Sequence, residues 1–302
     1  MRVAIVTDST SDIDPAVARA LDLVVVPLFV NFGDRRYRDG VDLDREEFYR
    51  RLASESQLPT TTQPTAKMFE DAFAPLVADG RPIVGIFISQ KLSGTINAAR
   101  AAADQFPGKR IELVDSLTAT AGLGLQAMHA AELARGGSTV DEILAALADD
   151  RTHQHGFAAL PDLSHAVRTG RIGKARAAIG GMLKIVPVLR LDRGEVEEQA
   201  RVRTFARAQD EMIAFGSDGL QLLRPHHALE CFKQRGQRNR KLDIVQQPPD
   251  VLQGVWHRLQ EVRLAFVEST EPVGAHGLHD AYVHVRIVVL HVGVALDINK
   301  GG

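Results

Sequence analysis

A chain of 302 residues that is 45% hydrophobic and 25% charged has an ordinary globular composition, with material for one large domain or two smaller ones. A formal net charge of -2 argues against nucleic acid or an anionic membrane as a partner, and one cysteine, Cys231, excludes an internal disulfide framework and suits a reducing compartment. Residues 1–6 run straight into Thr7-Asp8-Ser9 with no room for a signal-peptide core, and the apolar runs 23–30 and 283–296 are too short or too interrupted (His284, Arg286, His291) to span a bilayer. The expectation is a soluble, cytoplasmic protein with no stable membrane insertion.

Up to about residue 213, short β-branched runs alternate with helical patterns. Val3-Ala4-Ile5-Val6 reads as a strand and leads into Thr7-Asp8-Ser9-Thr10-Ser11-Asp12, whose acidic residues, with Asp14, suit a helix start or a cation. The run 23–30 reads as a further strand, and Asp44 ahead of Arg45-Glu46-Glu47 has capping-box spacing. Thr60-Thr61-Thr62-Gln63-Pro64-Thr65 is a hydroxyl cluster before a helix from Ala66. Strands are expected at 83–88 and 111–114, followed by Ser89-Gln90-Lys91-Leu92-Ser93-Gly94-Thr95 and by Asp115-Ser116. A helix over 122–133 stops at Gly136-Gly137, and Ser138 precedes one whose buried face is Val140, Ile143, Leu144 and Leu147. This alternation predicts an α/β fold, a mainly parallel sheet with helices on both faces, in an N-terminal domain of residues 1–150.

The polar stretch 149–156 marks a domain boundary. Beyond it, a strand from Phe157 and a hairpin across Asp192-Arg193-Gly194 open a second α/β domain over 151–213. His153 and His155 have the spacing of a metal pair without a third ligand, so no metal is expected. The basic run from Arg168 to Arg176 is either a solvated turn or a docking patch for an acidic or phosphate-bearing partner. Past residue 214 alanine thins out, seven of the 11 histidines appear, and 234–241 follow neither period. Residues 214–302 are therefore read as an atypical tail, either frame-shifted, which leaves the second domain incomplete, or a divergent ending.

Three loops follow strand ends, where ligands sit in such sheets. Ser93-Gly94-Thr95 opens a helix, and is either a plain N-cap or an anion site made of free N–H groups and the helix dipole. Ser93 lacks the Gly-x-Ser-x-Gly elbow, His129 and His165 fall on helical segments, and no phosphate-binding glycine loop is present. Neither a catalytic residue nor a cofactor is expected.

Six ordered motifs carry a family resemblance: Val6-Thr7-Asp8-Ser9-Thr10-Ser11-Asp12, Tyr37-Arg38-Asp39-Gly40-Val41-Asp42, Thr61-Thr62-Gln63-Pro64, Leu92-Ser93-Gly94-Thr95, Val114-Asp115-Ser116 and Gly170-Arg171-Ile172-Gly173-Lys174. Over about residues 2–203 the chain resembles the DegV family of fatty-acid-binding proteins. The resemblance implies a non-catalytic, two-domain subunit that buries a long-chain fatty acid in its N-terminal domain. It would present the carboxylate to the catalytic subunit of a fatty acid kinase for conversion to an acyl phosphate. It assigns the carboxylate to Thr61 and Ser93, with Thr62, Gly94, Thr95 and Ser116 in supporting loops and Arg171 facing the kinase. A family histidine from the second domain has its counterpart in His276, after Pro272-Val273-Gly274-Ala275. The competing readings are a Ser93-dependent acyl hydrolase and a domain for a small polar ligand such as a sugar or dihydroxyacetone; the net charge disfavours a DNA-binding regulator.

Overall fold

The computed structural model describes residues 2–55, 57–159, 167, 170–172, 185–221, 263–269 and 285–291. Four parallel strands form the first sheet: β1 (Ala4–Asp8), β2 (Leu23–Val26), β6 (Ile83–Phe87) and β7 (Ile111–Asp115), in the order β2-β1-β6-β7. Its central strands are buried on both faces, which is why they read as unbroken apolar runs. Side chains alternate along them. Val3, Ile5, Val84 and Ile86 pack with α1 (Pro15–Ala20), α5 (Ala121–Arg135) and α6 (Val140–His153). Ala4, Val6, Ile83 and Phe87 pack with α3 (Ala66–Ala78) and α4 (Thr95–Ala103), where Phe69 meets Phe87 edge-on at 5.1 Å. The parallel sheet with helices on both faces is the expected one.

The apolar run 23–30 is not one strand. Proline has no N–H to give a ladder, and the chain leaves the first sheet at Pro27. Leu28 N donates instead to Ser9 Oγ at 3.0 Å. The chain then enters a small antiparallel sheet of β3 (Phe29–Phe32), β4 (Arg35–Arg38) and β5 (Thr60–Thr62), ordered β4-β3-β5. Between β4 and β5 lies α2 (Arg45–Ser54), capped by Asp44, which accepts from Glu47 N at 2.8 Å. The cap of α6 is Thr139 rather than Ser138. Thr139 has Glu142 three residues on, and both halves of the capping box form: Glu142 N donates to Thr139 Oγ1 (3.3 Å) and Thr139 N to Glu142 Oε2 (2.7 Å).

The polar stretch 149–156 is the last turn of α6 followed directly by β8 (Gln154–Ala159). β8 belongs to a second sheet with β9 (Val186–Asp192), β10 (Glu195–Val202), β11 (Arg263–Ser269) and β12 (Val285–His291), ordered β10-β9-β8-β12-β11 and antiparallel at every step. The expected hairpin turns on Arg193 and Gly194 alone, with φ of 48° and 83°, as a two-residue primed turn requires. Helix α7 (Phe205–Gln221) runs through residue 214 without a break and packs Ala208 and Met212 on Phe157 and Val188. The composition change at 214 is therefore not an element boundary, and β11 and β12 lie in the stretch read as an atypical tail.

Candidate functional site

Two of the motif segments meet at the end of the first sheet. The first is β5, a three-residue edge strand whose side chains are all exposed and whose Thr61 pairs with Val30. Asn31 Nδ2 donates to Thr62 Oγ1 at 2.8 Å, so Thr62 secures the strand. The Thr61 hydroxyl has no hydrogen-bond partner among the described residues. After β5 the chain turns through Gln63-Pro64 into α3, capped by Thr65, which accepts from Met68 N at 3.3 Å.

The second segment opens α4. Its N-cap is Gly94, which has no side chain to offer, so the plain Ser/Thr cap does not form. Ser93 sits one residue too early for it. Its Oγ accepts from Thr95 N at 3.3 Å and is hydrogen-bonded to Thr95 Oγ1 at 2.8 Å, with either hydroxyl able to donate. The N–H groups of Gly94 and Ile96 find no partner among the described residues, at the positive end of the helix dipole. The missing side chain at Gly94 also joins the two segments. A Cβ there would lie closer to Gln63 Oε1 than the 3.0 Å that such contacts respect, so Gln63 rests against the start of α4. Spacing alone does not reveal this contact, because 31 residues separate the two positions; a glycine directly after Ser93 was its one trace.

Not every expected residue converges here. Thr95 is fully buried beneath Ser93. Ser116 is 1% exposed and gives its hydroxyl to Thr118 O at 3.1 Å, so it shapes its own loop. Arg171 is exposed and lies at an apolar pocket of about 120 Å³ whose wall includes Leu92, Thr118, Thr120, Gly156, Leu191 and Val196. Strands β8, β9 and β10 of the second sheet and the loops that follow β6 and β7 contribute to this pocket. Helix α5 adds Leu123, Ala127 and Ala130, all fully buried, to the core on one face of the first sheet. His276 lies outside the described residues.

The acidic residues of the first loop serve the fold. Asp8 caps the Ser9–Ser11 turn: it accepts from Thr10 N and from the Thr10 hydroxyl, and its second oxygen accepts from Ile88 N at 2.9 Å. Asp14 caps α1. Burial raises the Asp8 carboxyl, and pushes that of Asp12 up to about 7 against the pull of Arg45, with Asp39 and Asp8 adding to the rise. No group of three metal-ligating side chains occurs among the described residues. His153 ends α6 beside Asp149 at 3.3 Å, whereas His155 lies on β8, where burial lowers its pKa. Ser93 has no histidine or carboxylate partner among the described residues, and His129 is committed to Asp150 at 2.7 Å between α5 and α6. No helix among them is long and apolar enough to cross a membrane.

The family profile described as "Uncharacterised protein, DegV family" matches residues 2–227. The chain belongs to the DegV family. A DegV domain-containing protein of Deinococcus radiodurans is 40% identical over 210 residues, 67% of this chain and 72% of that one. Among solved structures, a fatty-acid-binding DegV family protein from Thermus thermophilus superposes with a TM-score of 0.72 at 26% identity, covering 97% of this chain and 100% of that one. A Thermotoga maritima protein whose structure reveals fatty acid binding function gives 0.62 at 27% identity over 71% and 76% of the two chains. DegV structures therefore do bind fatty acids, and the expected fold class is the observed one.

Proposed function

We propose that this chain binds a long-chain fatty acid and presents its carboxylate to a separate kinase. The observation that carries the reading is the meeting of Thr61 and Ser93's segments through Gln63 and Gly94, beside two unused N–H groups at the start of α4. Hydroxyl and amide donors at a helix N-terminus are what a carboxylate needs. Leu92, next to Ser93, is on the wall of the apolar pocket, which gives the acyl chain its entrance. Each buried CH₂ contributes about 0.8 kcal/mol, so the tail supplies most of the affinity and the head group sets the orientation. Arg171, exposed at the same pocket, is the residue assigned to the kinase contact. The relatives' fatty-acid binding supports the first half of the reading; the kinase step rests on the family resemblance.

The test is native mass spectrometry of the protein incubated with palmitate, followed by addition of a fatty acid kinase catalytic subunit with MgATP. One palmitate per chain is expected, converted to acyl phosphate. Ser93→Ala is expected to weaken binding about 10- to 100-fold, the worth of one hydrogen bond to a charged group. A chain that takes up no palmitate refutes the binding step; a loaded chain that yields no acyl phosphate refutes the presentation step.

A further inference from the structure

We propose that the tip of the β9–β10 hairpin is the positioning element for the Ser93 loop, acting through Ser89 and Gly194. The inference rests on the carboxylate reading of Ser93 given above and adds residues from the second sheet to it.

The loop leaving β6 is held at several points. Ser89 is fully buried, and its N–H donates to Thr118 O at 2.9 Å. Gln90 N donates to Asp115 Oδ1 at 3.4 Å. The carbonyl of Ser89 accepts from both Leu92 N (2.9 Å) and Ser93 N (3.0 Å), so the orientation of Ser89 fixes where Ser93 begins. The hydroxyl of Ser89 in turn accepts from Lys91 N at 3.2 Å and donates to Gly194 O at 2.9 Å, on the hairpin tip. One step along, Glu195 Oε1 pairs with Lys91 Nζ at 2.9 Å. The hairpin thus touches both sides of the turn that delivers Ser93.

Gly194 is suited to this in two ways. Its φ of 83° is a conformation that L side chains rarely adopt, and a Cβ there would collide with Ser89 Oγ. The close approach exists because position 194 has no side chain. Asn tolerates the left-handed conformation far better than Ala does. Gly194→Asn therefore keeps the turn and inserts only the collision, while Ser89→Ala keeps the space and removes only the hydrogen bonds.

Two readouts decide the proposal, both on the full chain. The first is amide hydrogen exchange over residues 89–95 without ligand, which needs no fatty acid to bind. The second is the ratio of affinities for palmitate and palmitate methyl ester, which isolates the head group from the tail; a general loss of stability would move both affinities together. Ser89→Ala and Gly194→Asn are expected to speed exchange at Leu92 and Ser93. They should also cut the acid-over-ester preference about tenfold, the equivalent of one hydrogen bond. Unchanged exchange in that loop overturns the proposal, and so does faster exchange with an unchanged preference. If the unmodified chain binds neither compound, the carboxylate reading has failed and the exchange result alone decides whether the hairpin holds the loop.

Discussion

Gly124→Ala sets two effects of opposite sign against each other. Gly124 lies inside α5, where alanine is favoured over glycine by about 1 kcal/mol of helix propensity. On that ground alone the substitution stabilises. The structure opposes it: a Cβ at 124 would lie 2.5 Å from the carbonyl oxygen of Ser11 and 3.4 Å from Ile13 Cγ1. Carbon–oxygen contacts settle at about 3.3–3.6 Å, so helix and loop must separate by roughly 0.8 Å or more. Neither side yields cheaply. Ser11 is buried in a turn closed by Asp12 N to Ser9 O at 3.2 Å, and α5 is packed against the first sheet and α6. Overpacking of this kind costs about 1–3 kcal/mol. The expected net effect is a loss of up to about 2 kcal/mol, at most several degrees in melting temperature. Urea unfolding followed by circular dichroism, with an unchanged m-value, measures it. A variant more stable than the parent, as propensity alone would make it, refutes the claim that α5 is held tightly against the first loop.

Asp12 gives a pH-dependent prediction. Its carboxyl keeps a proton to about pH 7 in the folded chain against 3.8 in the unfolded one, so between those values the folded state carries the extra proton and stability falls as pH rises. Asp12→Asn, which also suits the φ of 54°, removes that loss. A gain of about 1–2 kcal/mol at pH 8 is expected once solvent screening of a partly exposed group is allowed for, vanishing by pH 4; a gain independent of pH sinks the argument. Thr139→Ala opens the capping box of α6 and is expected to lower the urea midpoint by the equivalent of about 1 kcal/mol, whereas Ser138→Ala, one residue outside it, should change little. Equal effects at both positions would place the cap wrongly.

The first sheet was legible because β1 and β6 are buried on both faces and, apart from Asp8 at the end of β1, carry only apolar and β-branched side chains around their single glycine. The small sheet was not. β4 is Arg-Arg-Tyr-Arg and β5 is three exposed threonines, and an edge strand of polar residues has no alternation to read. Pro27 was the available signal that the run 23–30 divides, and its missing N–H outweighs the β propensity around it. At the site, Thr61 and Ser93 came from family motifs, and the helix start made an anion site plausible. The Gln63–Gly94 and Ser89–Gly194 contacts join positions far apart in the chain, and local pattern carries no trace of them beyond two glycines. In the last third, the family match ends at residue 227, and of the two strands beyond it only β12 had a trace in the sequence, the apolar run 283–296.

The order β10-β9-β8-β12-β11 has a consequence for how the chain is made. The first sheet is complete once β7 has left the ribosome at Asp115, and β8 gains β9 as a neighbour by Asp192. Its other neighbour, β12, begins only at Val285. At about 5–20 residues per second, the far edge of β8 stays unpaired for several seconds of synthesis. Phe157, Ala158 and Ala159 lie along it, apolar residues on an open ladder that any other extended chain can join. Changes confined to the end of the gene act there too: they alter the partner of β8 and leave untouched the register of the first sheet, whose strand β6 leads into the Ser93 loop.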